Sequence, residues 1–153
     1  MNWQRFSRGV GWGVLATVIM SALMLIGVAS GVSPMPKPIP AAIVGKMLGA
    51  GTPKPLLMSL AVLSHLAYGG FWGGIVAAVT KPITVRKGIA FSALLWLVMQ
   101  VMVLPFLGWG AFGSSVSLKI AVATLVLHLV YGFSYGALMG RSEAVAPGAS
   151  ATS

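Results

Sequence analysis

The chain has 153 residues, of which 58% are hydrophobic and only 7% charged, and its mean hydropathy is +0.95. A soluble domain carries about a quarter charged residues, and a chain this short cannot hide so large an apolar excess in a core, so most of its surface must face lipid. The net charge of +9 rests on bases scattered between apolar runs rather than clustered as a nucleic-acid footprint, and the absence of cysteine removes disulfides, thiolate metal sites and thiol catalysis.

Four apolar runs follow one another along the chain. The first covers about residues 10–30, behind the basic start MNWQRFSR. A secretory signal has an apolar core of about 7–15 residues; the run Val10–Val32 exceeds that and suits a bilayer, which needs about 20 residues. It is read as a retained transmembrane helix. Next comes SPMPKPIPAAIVGKMLGAGTPKP, whose six prolines flank the apolar segment Ala41–Ala50. Proline fits the first turn of a helix and not its interior, so this segment predicts a short helix, interfacial or re-entrant, that does not cross.

The second run covers about 56–80, the third 88–107 and the fourth 117–140. The linker PFLGWGAFGSS between the last two reads as an interfacial turn. Residues 141–153, with SEAVAPGASATS, read as a disordered polar tail. The barrel alternative would show alternating segments of about ten residues, and none is present. The expected fold is therefore an all-α integral membrane protein of four transmembrane helices in residues 1–140, arranged as two tandem hairpins, with a short interfacial helix between spans one and two.

Arg5, Arg8, Lys81, Arg86, Lys87 and Arg141 fall on one side of this layout, and Lys37, Lys46, Lys54 and Lys119 on the other. The positive-inside rule then predicts both termini in the cytoplasm. An internal repeat accompanies the layout. Aligning the only two histidines, His65 with His128, also aligns Leu66 with Leu129, Tyr68 with Tyr131, Gly69 with Gly132 and Gly73 with Gly136. Spans one and three align through RGVGWGVLATVIMS and KGIAFSALLWLVMQ, which lays Met20 on Met99 and Ser21 on Gln100.

Polar groups inside a membrane are expensive, and so are the first place to look for function. There is no aspartate, and Glu143 is the single glutamate. Ion-coupled transport through an intramembrane carboxylate, hydrolysis and di-metal oxidation all lose their usual ligands, and no enzymatic activity is expected. The spans do contain His65, His128, Gln100, Thr17, Ser21, Ser64, Thr124, Ser134, Tyr68 and Tyr131.

Two readings of the histidines stand side by side. In the first, Gly69, Gly70, Gly73, Gly74, Gly132, Gly136 and Gly140 form small-xxx-small stripes along which spans two and four pack, and the histidines hydrogen-bond across the interface. In the second, His65 and His128 are axial ligands of one b-type haem, with Gly69 and Gly132 giving clearance to the macrocycle. A bare ion held by the two imidazoles alone falls short of the three or four ligands a stable site needs. Met20, Met24, Met99 and Met102 offer the thioethers that Cu(I) favours, but methionine is also an ordinary gap-filler, and packing is the reading taken for them.

The segments HLAYG and HLVYGFSYGALMG resemble those of small four-span bacterial and archaeal membrane proteins classed as domains of unknown function. The resemblance implies a multi-pass protein of a bacterial or archaeal inner membrane and carries no activity with it. The reading reached from sequence is a non-enzymatic accessory or scaffolding protein that binds the lipid bilayer and other membrane proteins or itself. The alternatives are a haem-carrying electron-transfer subunit and a small channel or carrier whose path His65, His128 and Gln100 would line.

Overall fold

The computed structural model describes residues 2–49 and 51–145. Helix α1, Trp3–Ala29, begins where the Asn2 side chain accepts a hydrogen bond from Arg5 N at 3.1 Å. This cap starts the helix seven residues ahead of the apolar run, and so brings Arg5 and Arg8 into its first turns. Helix α2, Ile39–Leu48, and helix α3, Lys54–Val79, each carry proline in the opening turn, where the missing N–H would have had no partner. Helix α4, Val85–Leu107, is capped by the Thr84 hydroxyl and passes through a π-helical turn at Met99–Val103. Pro105 gives the cause: it has no N–H for the carbonyl four residues back, and Leu104 N bonds Met99 O, five residues back, instead. Helix α5 is Lys119–Val145.

The protein is all-helical, with α1, α3, α4 and α5 long and apolar enough to cross a membrane. Helix α2 is not; ten residues rise only about 15 Å. It lies across one end of the bundle, burying Ile39, Ala41, Ala42 and Val44. Helix α5 outruns the expected boundary at residue 140 and carries Arg141 and Glu143 as helical residues; the rest of the expected tail, 146–153, lies outside the described residues.

The glycine stripes are where the bundle differs from expectation. They do not pack α3 on α5; each meets the other helix of its own hairpin. A Cβ on Gly9 would stand 2.5 Å from Gly73 O, and one on Gly13 would stand 2.5 Å from Gly69 O. Val14 covers Gly70, while Phe6 and Val10 cover Gly74. In the second hairpin, Gly88 sits on the Gly132 carbonyl and Ser92 on Gly132 itself. Val85 backs Gly136, and the Ile83 carbonyl backs Gly140. The physical reason is the match of small faces: α1 presents Gly9 and Gly13 to Gly73 and Gly69, and α4 presents Gly88 and Ser92 to Gly132, so backbones approach where both helices are smooth.

Helix α5 joins α3 differently. Tyr131 and Tyr135 donate their hydroxyls to Gly69 O and Gly73 O at 2.7 and 2.6 Å. Both rings are buried and lie parallel, 6.1 Å apart. At the end where α1 begins and α5 finishes, Arg5 donates to the carbonyls of Ala77 (3.0 Å) and Thr80 (2.7 Å) and pairs with Glu143. The other Glu143 oxygen accepts from Ile83 N at 2.9 Å. One guanidinium and one carboxylate thus tie α1, the end of α3, the α3–α4 link and α5 together.

The two kinds of glycine on α1 give a direct test of the seam. Gly13→Leu drives a side chain into the α3 backbone and should lower stability by about 1–3 kcal/mol or more. Gly11→Leu, where nothing lies within 4 Å of the new Cβ, should unfold like the parent. Denaturation in a detergent series, followed by helicity, reads the difference; equal loss in both would remove the seam from the account.

Candidate functional site

With α3 held to α1 and α4 held to α5, the outer parts of α3 and α4 enclose space rather than each other. A cavity of about 280 Å³ lies between the four long helices, under α2. The two histidines line it from α3 and α5, with Thr17 and Tyr131 beside them. Met35, Ile39 and Ile43 reach it from the α2 side. Ser64 and Tyr68 also line it and are exposed, which places its mouth along α3. Nearer the terminal end, Trp72 meets Phe91 at 5.9 Å between ring centres and bridges the gap between α3 and α4.

The polar groups around this cavity are organised by Thr124. Its hydroxyl lies 2.7 Å from Ile120 O, one turn back, to which it donates. It accepts from Gln100 Nε2 at 2.9 Å and from Trp96 Nε1 at 3.3 Å. One donor and two acceptor positions are thereby all used. The Thr124 carbonyl lies 2.8 Å from His128 Nδ1. A carbonyl only accepts, so Nδ1 carries the proton, and Nε2 is left with the lone pair. His65 Nε2 is buried and has no hydrogen-bond partner, and the same is true of Gln100 Oε1.

The expected site residues therefore divide. His65, His128, Tyr68, Tyr131 and Gly69 come together at the cavity. Gln100 is fully buried against Thr124 and does not line it. Ser21 sits half-buried away from it on α1, and Gly132 lies in the α4–α5 seam. That last placement, with its counterpart on α3, bears on the haem. Thr17 fills the space beside Gly69, and Ser92 the space beside Gly132, so closely that a Cβ at either would collide with the hydroxyl. Neither glycine gives clearance to a macrocycle. The cavity is also smaller than the roughly 300–1,000 Å³ of sites for drug-sized ligands, so the residues present do not fit a haem.

A family model matches residues 3–147, which takes in every helix and all residues of the cavity. The chain belongs to this family of unknown function, DUF6789. No curated protein and no solved structure matches it. The DUF6789 unit thus includes both hairpins and the roof, and the site has to be read from its own chemistry.

Three parts of that site escaped the sequence reading. Met35 stands among prolines in a connection that reads as an outer loop, yet it is buried at the cavity. Thr124 is one hydroxyl among several in the spans, and nothing in its spacing marks it as the hub. The π turn had a signal, since Pro105 lies inside an apolar run; it turns Gln100 fully into the interior.

Removing the hub should be felt more than its size suggests. Thr124→Val keeps the volume but strands the Gln100 amide donor, at about 1–3 kcal/mol for a buried group left unpaired, while Trp96 Nε1 keeps its bond to Ala121 O at 3.1 Å. Thr124→Ser keeps the hydroxyl and should recover most of that loss. Thermal melting of both variants in one detergent checks the order; a valine variant as stable as the serine one would show that the network carries no weight.

Proposed function

We propose that this DUF6789 protein is an intramembrane binding protein, whose bundle holds one small ligand in the cavity between the two histidines. The observation that carries the reading is the convergence of the chain's only two imidazoles on one cavity lined mostly by apolar side chains. Polar residues kept in a membrane interior mark ligand or ion sites more often than they occur by drift. The partnerless His65 Nε2 supports it further, because a buried polar atom without a partner calls for an explanation.

The scaffolding alternative draws less support. A scaffold would offer its glycine stripes to another protein, and all seven of these glycines already face neighbours within the chain. Of the small channel or carrier, the histidines remain and Gln100 drops out. The two seams also match one another, with Gly9 and Gly13 on Gly73 and Gly69 in one hairpin, and Gly88 and Ser92 on Gly132 in the other. This favours descent of the hairpins from a single unit, which would place equivalent histidines on opposite walls of one site.

Leu127 lines the cavity and is partly buried, so Leu127→Trp should fill it from within. Native mass spectrometry of protein released from membranes should show a bound species on the parent and none on the variant. A parent that carries no adduct, with a variant equally stable and equally bare, would overturn the binding reading.

A further inference from the structure

Four of the nine methionines line this one cavity: Met20 and Met24 from α1, Met35 from the α1–α2 connection and Met99 from α4. Met102, which the sequence had set beside three of them, points outward at 65% exposure. The fold has therefore sorted the thioethers, and it has put the sorted ones with the two imidazoles. Resting on the reading of the cavity as a ligand site, we propose that its occupant is a soft monovalent metal ion, Cu(I), held by His65, His128 and thioethers of Met20, Met24, Met35 and Met99.

The donor set decides the class of ion. No three His, Cys, Asp or Glu side chains come together among the described residues, so a hard cation that needs carboxylate or carbonyl oxygen finds no shell here. A divalent ion would also bury twice the charge with no counter-ion, since Glu143 is engaged with Arg5 at the terminal end. Born cost rises with the square of the charge, which favours a monovalent guest. Thioether and imidazole are the neutral ligands that Cu(I) accepts, in a geometry it does not dictate strictly. Two imidazoles alone are too few; four nearby thioethers raise the available set well beyond the three or four ligands required.

The histidines are prepared for this role in the way metal-binding imidazoles usually are. The His128 Nδ1 proton is tied to a backbone carbonyl, which fixes the ring and leaves Nε2 basic. His65 Nε2 is buried and partnerless until something supplies it with a partner. The methionines have the opposite property. Their flexible unbranched chains can close from the cavity wall onto an ion much smaller than the cavity. Binding involves no change of oxidation state: the ion arrives, stays and leaves as Cu(I).

The test is an anaerobic titration of the purified full-length protein with Cu(I) against a chromophoric Cu(I) chelator, with Ag(I) as a redox-inert second probe. One equivalent per chain is expected, with sulfur and nitrogen neighbours in copper X-ray absorption. Disturbing even an outer-shell partner lowers metal affinity about 10–100-fold, so His65→Ala, His128→Ala and the pair Met20→Leu with Met99→Leu should each lose at least about tenfold. Leucine conserves volume, so the methionine variants should fold, and Met102→Leu should bind like the parent. Binding that survives the cavity variants, or no retention against the chelator, overturns the metal proposal. If an organic adduct is then found and is emptied by Leu127→Trp, the cavity reading stands without the metal; if none is found, both fall.

Discussion

The bundle depends on one close contact, the approach of α1 to the glycine face of α3. Lipid tails are as apolar as leucine, so helices in a membrane gain nothing from hiding apolar surface against each other. What holds them is van der Waals packing and polar contact, and both improve as backbones come closer. At Gly9 and Gly13 the hydrogen that stands in for a side chain points at the carbonyls of Gly73 and Gly69, the arrangement of a Cα–H···O contact. The same bare carbonyls have a free lone pair for α5, and Tyr131 and Tyr135 use it. One stripe therefore fastens three helices, on two sides and by two kinds of contact.

The cavity follows from how that stripe is used. Because α1 and α5 take the glycine face of α3, nothing equally smooth is left to bring α4 against α3, and Trp72 and Phe91 bridge the two. Above that bridge the walls stay apart, and α2 closes the end. The π turn adds to this by rotating the end of α4, which buries Gln100 against Thr124 and leaves Met99 at the cavity. A straight α4 would have kept the ordinary register through Pro105 at the expense of a clash.

Much of this was readable in advance, for identifiable reasons. Four spans follow from hydropathy and length alone, because a bilayer imposes both. The placement of His65 and His128 at an interior cavity follows from the penalty for burying imidazole in lipid. What glycine spacing does not encode is the identity of the facing helix: Gly69 and Gly73 announce that some backbone can approach, not that it is α1. Glu143 read as part of a polar tail because charge and small residues surround it; only its pairing with Arg5, at the far end of the sequence, makes it helical and structural. Met35 was hidden by the opposite error, an apolar side chain in a proline-rich stretch whose backbone reads as a loop.

The separation of charge from the cavity sets the chemistry available to it. Every cation of the chain sits near the ends of the helices or in the links. The single carboxylate is clasped by Arg5 at the terminal end, where Arg5 also closes the last carbonyls of α3. The interior between is left with neutral donors only: imidazole, hydroxyl, amide and thioether. Such a cavity offers a hard cation no carboxylate, and it offers an anion no fixed positive partner. On the binding reading proposed above, its selectivity comes from soft, polarisable lone pairs, which the thioethers and imidazoles supply; the hydroxyls of Thr17, Ser64 and Tyr68 on the same wall are harder donors.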